Sequence, residues 1–138
     1  MKTPLNVFTL IFAVLIGGAA FGHHGTQISY QLDKTITVSG TVTEWMFAFP
    51  HPSVFFEVKD ESGKAVKWGS ELLPTPANMR SWNAGWSRNT IKAGDQINLV
   101  CNPAKSGAPV CVARQMTING KVMPLTDPNA AQRGGRGQ

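Results

Sequence analysis

Thr35-Ile36-Thr37-Val38-Ser39-Gly40-Thr41-Val42-Thr43-Glu44-Trp45 is the stretch on which the fold turns. Ile36, Val38 and Val42 alternate with hydroxyl-bearing residues, the period-two pattern of a strand with one buried face. Gly40 falls where that apolar face should continue, and a glycine inside a strand marks a bend or bulge. A long first strand bent at a glycine is a device by which a small sheet curls into a barrel. Trp45 has the opposite parity to Ile36, Val38 and Val42, which puts its ring outside the barrel or over the amino-terminal arm.

Downstream, Ser53 to Lys59 repeats the alternation, with Val54, Phe56 and Val58 on one face and Phe55, Glu57 and Lys59 on the other. Asp60-Glu61-Ser62-Gly63 is a turn, and Lys64 to Glu71 is a third strand with Val66 and Trp68 inward; the two strands form an antiparallel hairpin. Thr75 can cap a helix that Pro76 opens. Met79, Trp82 and Trp86 follow at helical spacing and should pack on the sheet, with Gly85 ending the helix. Ala93-Gly94-Asp95 turns into a fourth strand, Gln96 to Cys101. A loop with Pro103, Gly107 and Pro109 leads to the fifth, Val110 to Ile118. Asn119-Gly120 is a two-residue hairpin turn into a short last strand, Lys121 to Leu125. Three strands, a short helix and two or three strands predict an all-β, mainly antiparallel OB-like barrel of five or six strands with one short helix. An open sandwich is the alternative, because parity alone does not show closure.

Upstream, residues 1–22 read as a signal peptide. Lys2 supplies the positive start, Leu5 to Ile16 is an apolar run, and Gly17-Gly18-Ala19-Ala20 offers small residues to a peptidase. The run is shorter than the roughly 20 apolar residues of a membrane span, and no second one follows. The expected product is periplasmic or secreted, with no membrane span after cleavage. Cleavage after Gly22 would make His23 the first residue; cleavage after Ala20 would make it the third. Residues 23–126 then form one domain that opens with an irregular arm over 23–34, and the Gly/Arg-rich tail 127–138 is expected to be disordered.

The formal charge is +5 on 138 residues, and removing Lys2 with the signal lowers it by one. The basic side chains are scattered rather than gathered in a stripe, which argues against nucleic acid as a partner. Cys101 and Cys111 are an even pair in an exported chain, so a structural disulfide is expected. Ile97, Leu99 and Cys101 share a parity while Val110 and Val112 oppose Cys111, so a bulge or twist must bring both sulfurs to one face.

The chemistry-bearing residues are few. His23, His24 and His51 are the only histidines. A terminal histidine offers its α-amine and ring nitrogen to one ion, and nitrogen ligation suits Cu(II). If the fold brings His51 close, the three make one nitrogen-rich metal site, with copper ahead of zinc or nickel. G-x-S-x-G and H-E-x-x-H are both absent, so the expected role is binding rather than catalysis; oxidative chemistry at a copper ion is a further extension. The alternative is a metal-free binding or assembly module that meets a protein or glycan partner through the aromatic loop of Trp45, Phe47 and Phe49.

His23-His24-Gly25, Gly40-Thr41-Val42-Thr43, Phe49-Pro50-His51, Val58-Lys59-Asp60, Lys67-Trp68 and Lys92-Ala93-Gly94-Asp95 occur in an order that resembles the family of unknown function number 6152. These are small exported bacterial proteins that begin, after their signal, with His-His-Ser or a close variant. The resemblance covers nearly all of residues 23–120. It implies an exported β-barrel domain and brings no established activity. The chain departs from the family pattern at Gly25 and Phe49, where a serine and an asparagine are usual, and in its Cys101–Cys111 loop.

Overall fold

The computed structural model describes residues 26–134. The expected signal peptide, His23 and His24, and the tail residues 135–138 lie outside the described residues. The elements run α1 (Thr26–Ser29), β1 (Ile36–Met46), β2 (Ser53–Lys59), β3 (Ala65–Glu71), α2 (Pro76–Ser81), β4 (Gln96–Pro103), β5 (Val110–Ile118), β6 (Lys121–Met123) and α3 (Ala130–Gly134).

β1 serves two neighbours in succession. Its first half pairs with β4, from Ile36↔Cys101 to Thr41↔Gln96, and its second half pairs with β2, from Thr41↔Glu57 to Met46↔Ser53. β2 continues into the β3 hairpin, and β4 pairs with β5. A short parallel ladder, Gly69–Glu71 against Val110–Val112, then joins β3 to β5 and closes the ring. The result is a five-stranded mixed barrel of OB type, with β6 hydrogen-bonded outside it to β5. Closure decides against the open sandwich. The handover on β1 occurs at Thr41, next to Gly40, where a Cβ would collide with the carbonyl oxygen of Glu57 and come within 2.9 Å of the Phe56 ring. The missing side chain is what lets the second strand cross so close.

Two bulges govern what faces inward. The β1–β2 register shifts between Val42 and Glu44, so the extra residue Thr43 reverses the parity of everything after it. Trp45 therefore stands opposite Val54 on the inner face, not outside as simple alternation predicts. Its ring packs on Phe47 at 5.7 Å and Trp86 at 5.8 Å between centroids, and its indole N–H donates to the Ser87 carbonyl at 3.0 Å. On β5, Val100 pairs with Gln115 but Cys101 pairs with Ala113. Skipping Arg114 brings the buried Cys101 and Cys111 together, and they are disulfide-bonded with Cα atoms 5.8 Å apart.

The core fills the barrel and the space beneath α2. Val42, Val54, Phe56, Leu72, Met79, Leu99, Val112 and Met116 are essentially sealed from solvent, each such side chain contributing roughly 1.5–3 kcal/mol of burial. Thr75 caps α2 by accepting the Asn78 N–H at 3.2 Å, and Pro76 occupies the first turn. The helix stops at Ser81, earlier than the spacing to Trp86 predicts. Asn83 takes a left-handed φ of 53° and Gly85 one of 81°, so Trp86 reaches the core from a loop, its indole N–H held by the Pro124 carbonyl at 3.0 Å. The sequence pattern predicts neither α1 nor α3. α3 lies inside the stretch that reads as a structureless tail, where Asp127 accepts the Asn129 N–H and the Asn129 side chain donates to the Trp82 carbonyl at 3.3 Å. Among the described residues no helix is long and apolar enough to cross a membrane.

Candidate functional site

The arm does not wander. After α1, Tyr30 forms a bridge to Ala104, and the Gln31 N–H donates to the Pro103 carbonyl at 2.9 Å. From the β4–β5 loop, the Lys105 N–H returns a bond to the Ser29 carbonyl at 2.9 Å, and its ammonium donates to the Gln27 carbonyl at 2.8 Å. The arm is thus laid along that loop with paired backbone groups, and Tyr30 is delivered to the outer face of β2 and β3. There its phenol donates to Glu71 Oε2 at 3.3 Å. Burial, with the Glu71 charge and that hydrogen bond adding to it, pushes the phenol up to about 12. Tyr30 therefore stays a protonated donor throughout the neutral range.

Between the arm and the sheet lies a cleft of about 140 Å³. Ser53 and Glu71, paired across the β2–β3 ladder, form its polar side. Phe55 and Val110, each more than a third exposed, form its apolar side. Gly69 lets Phe55 and Val110 close over the strand: a Cβ there would sit 3.3 Å from the Phe55 ring and 3.5 Å from Val110. Among the described residues no cationic side chain pairs with Glu71.

His51 lies in the loop just before β2. The Leu72 N–H donates to the Pro52 carbonyl at 2.9 Å, which carries the β2–β3 ladder one rung past Ser53–Glu71. The rung ends on a proline that has no N–H to return. His51, one residue further, lies outside the paired residues of β2. The histidine is half-buried, and its Nδ1 is sealed from solvent with no hydrogen-bond partner among the described residues. Among those residues no three His, Cys, Asp or Glu side chains gather closely enough to hold a metal ion. Cys101 and Cys111 are bonded to one another and are not available as thiolates. His23 and His24 lie outside the described residues, three and two positions before the arm's helix.

The aromatic loop divides. Phe47 is 5% exposed and lies under the Arg80 guanidinium, which stands 5.0 Å from its ring centroid. Trp45 belongs to the core side, as described above. Phe49 alone among the three is open, at 69% exposure, next to the cis bond to Pro50. A second, larger cleft of about 410 Å³ lies where the turn before β4 meets the β5–β6 turn, with Lys92, Asp95, Asn119 and Lys121 on its walls. The Asn119 side chain and the Lys92 N–H hold the Asp95 carboxyl below the usual carboxylate range, so this carboxylate is already spent on fixing the two turns.

Tyr30 and Ser53 carry no motif, and the sequence does not single them out. The signal for Tyr30 is its rarity, since it is the one tyrosine in the chain. Its partner cannot be read without the fold, because 41 residues separate Tyr30 from Glu71.

The fold and this face define a class: a small disulfide-stapled OB-like barrel with an amino-terminal arm laid beside its β2–β3 surface. The chain belongs to the family of unknown function DUF6152, which matches residues 12–113. No curated protein matches it. Among solved structures, it resembles the mitochondrial single-stranded DNA binding protein Rim1 of S. cerevisiae at 8% identity and a TM-score of 0.45, covering 62% of this chain and 92% of that one. It also resembles part of the protein TiaS, solved in complex with a tRNA and ATP, at 14% identity and a TM-score of 0.40, with 64% of this chain covering 19% of that one. Likenesses this distant carry no argument about what this chain binds.

Proposed function

We propose that this chain is an exported binding protein that holds a metal ion, copper foremost, between His51 and the histidines His23 and His24 ahead of the arm. The observation that carries the reading is the His51 Nδ1, buried and without a hydrogen-bond partner among the described residues. A buried imidazole nitrogen left unpaired costs about 1–3 kcal/mol, and a bound ion removes that cost. Gln27 and Ser29, bonded to Lys105, fix where the chain before them starts. His23 is three residues before Thr26, a reach of at most about 11 Å in extended chain. Imidazole and amine nitrogens suit Cu(II) in tetragonal geometry. Titration of the mature protein with Cu(II) tests the reading, with intact mass fixing the first residue. One equivalent should bind tightly and be lost in a His23→Ala, His51→Ala double variant. Equal binding by that variant refutes it.

A second reading, a metal-free module that docks a protein or glycan, is favoured by one observation: Phe49 is 69% exposed beside Met46 at 44%. Here the informative variant is Phe49→Ala, because Trp45 and Phe47 hold the core. Capture of a specific partner from the native compartment, lost in that variant and indifferent to chelators, would favour this reading over the first.

A further inference from the structure

We propose that the cleft between the arm and the β2–β3 face binds a primary ammonium group carried on a short apolar chain. The inference stands apart from the metal reading and uses none of the histidines. Glu71 is half-buried at the cleft and pairs with no cation among the described residues, in a chain of formal charge +5. Among the described residues no lysine or arginine is placed against this carboxylate. Tyr30 occupies Oε2 as a donor, which leaves Oε1 to accept from a ligand. Ser53 stands directly across the ladder and offers a hydroxyl oxygen as a second acceptor.

An ammonium suits that arrangement because it is a compact charge with three donors and no acceptor. A guanidinium favours a carboxylate with both oxygens free for a two-pronged contact, and here Tyr30 already holds one. An anion would meet the Glu71 charge directly. The other side of the cleft selects the rest of the ligand. Phe55 and Val110 are exposed at 38% and 37%, respectively, and give an aliphatic segment an apolar wall to lie against. At about 140 Å³ the cleft is smaller than the roughly 300 Å³ at which sites for drug-sized molecules begin, so the ligand segment is a few heavy atoms long. A free alkylamine and the end of a lysine side chain on a polypeptide share this chemistry.

The test is a chemical-shift titration of the full mature protein, kept metal-free with a chelator. The probes are n-butylammonium, n-butanol, butyrate and a short peptide with one central lysine and blocked ends. n-Butylammonium should move the amide signals of Ser53, Gly69, Glu71 and Val110 saturably, at concentrations at least about tenfold below any effect of n-butanol. A matching response to the lysine peptide identifies a polypeptide source; a response to the free amine alone identifies a small molecule. Glu71→Gln should weaken n-butylammonium at least about tenfold, and Gly69→Val, which pushes Phe55 and Val110 out of place, should abolish it. Overlapping n-butanol and n-butylammonium titrations, affinity unchanged in Glu71→Gln, or no shift with any amine overturns the proposal. If Gly69→Val does not fold, the alcohol comparison and Glu71→Gln decide alone.

Discussion

Opening the Cys101–Cys111 bond should cost this barrel about 2.7 kcal/mol, with the loss acting through the unfolded chain. The bond spans a sequence separation of 10, and the loop-closure relation for a ring of that size gives about 9 cal/mol/K, or about 2.7 kcal/mol at 25 °C. For a domain of this size that is a fall in Tm of roughly 10 °C. Both sulfurs are fully buried, so a Cys101→Ala, Cys111→Ala variant also loses two well-packed atoms, at about 0.8 kcal/mol each. The two perturbations should therefore separate: about 2.7 kcal/mol for the reduced wild type and about 4 kcal/mol for the double variant. Urea unfolding followed by tryptophan fluorescence measures both. The unfolded chain without the cross-link is also more open, so the dependence on urea should steepen in both samples. A reduced wild type within about 1 kcal/mol of the oxidised protein, with an unchanged urea dependence, would refute the reasoning. The bond would then be a consequence of the β5 bulge rather than a staple of the fold.

Gly40→Ala should destabilise the barrel by about 2 kcal/mol or more in the same urea assay, because the added Cβ meets the Glu57 backbone carbonyl, which cannot swing aside. Thr75→Ala should cost about 1 kcal/mol, the usual loss for an amino-terminal cap, in the same assay. Tyr30 is the chain's one tyrosine, so ultraviolet titration reads it alone: its midpoint should lie at about 12 in the folded protein, against 10.0 for a free phenol, and drop in Glu71→Gln. The sign follows from linkage. The folded phenol resists ionisation, so its contribution to stability is complete below about pH 10 and disappears as pH rises through about 12. Replacing Asn119 with alanine should raise the Asp95 carboxyl toward its ordinary value, seen in a carboxyl-carbon NMR titration; no change would mean that the Asn119 side chain does not hold it.

The barrel was legible because its strands keep strict alternation over long runs and its turns carry their own chemistry. β2 and β5 begin and end where periodicity and the flanking glycine, asparagine and proline residues place them. Errors arose where one residue is added to a strand. Thr43 and Arg114 are ordinary strand residues, and nothing local marks them as bulged, yet each reverses the facing of all that follows. The first turned Trp45 from an expected surface aromatic into a core residue. The second supplied the shift that the cysteine parities required. In both cases the selection is non-local: Trp45 can bury against Phe47 and Trp86, and the sulfurs can meet, only in the shifted register.

The site was less legible than the fold, for a related reason. Histidines beside an expected cleavage site attract attention because they are adjacent in sequence, whereas the cleft draws on residues 30, 53, 55, 69–71 and 110, which only closure of the barrel assembles. Gly69 illustrates the point. In the strand Ala65–Glu71 it shares its parity with Lys67 and Glu71, opposite the face of Val66 and Trp68. In the barrel it lies where β3 pairs with β5, in the parallel ladder that closes the ring, and the same missing side chain lets Phe55 and Val110 close over it. One glycine thus serves closure of the ring and packing of the cleft wall together. A substitution at Gly69 therefore also probes the ladder, whereas Glu71→Gln changes the charge and leaves the ladder intact. For that reason the carboxylate variant, more than the glycine one, separates a binding role for this face from its part in holding the barrel closed.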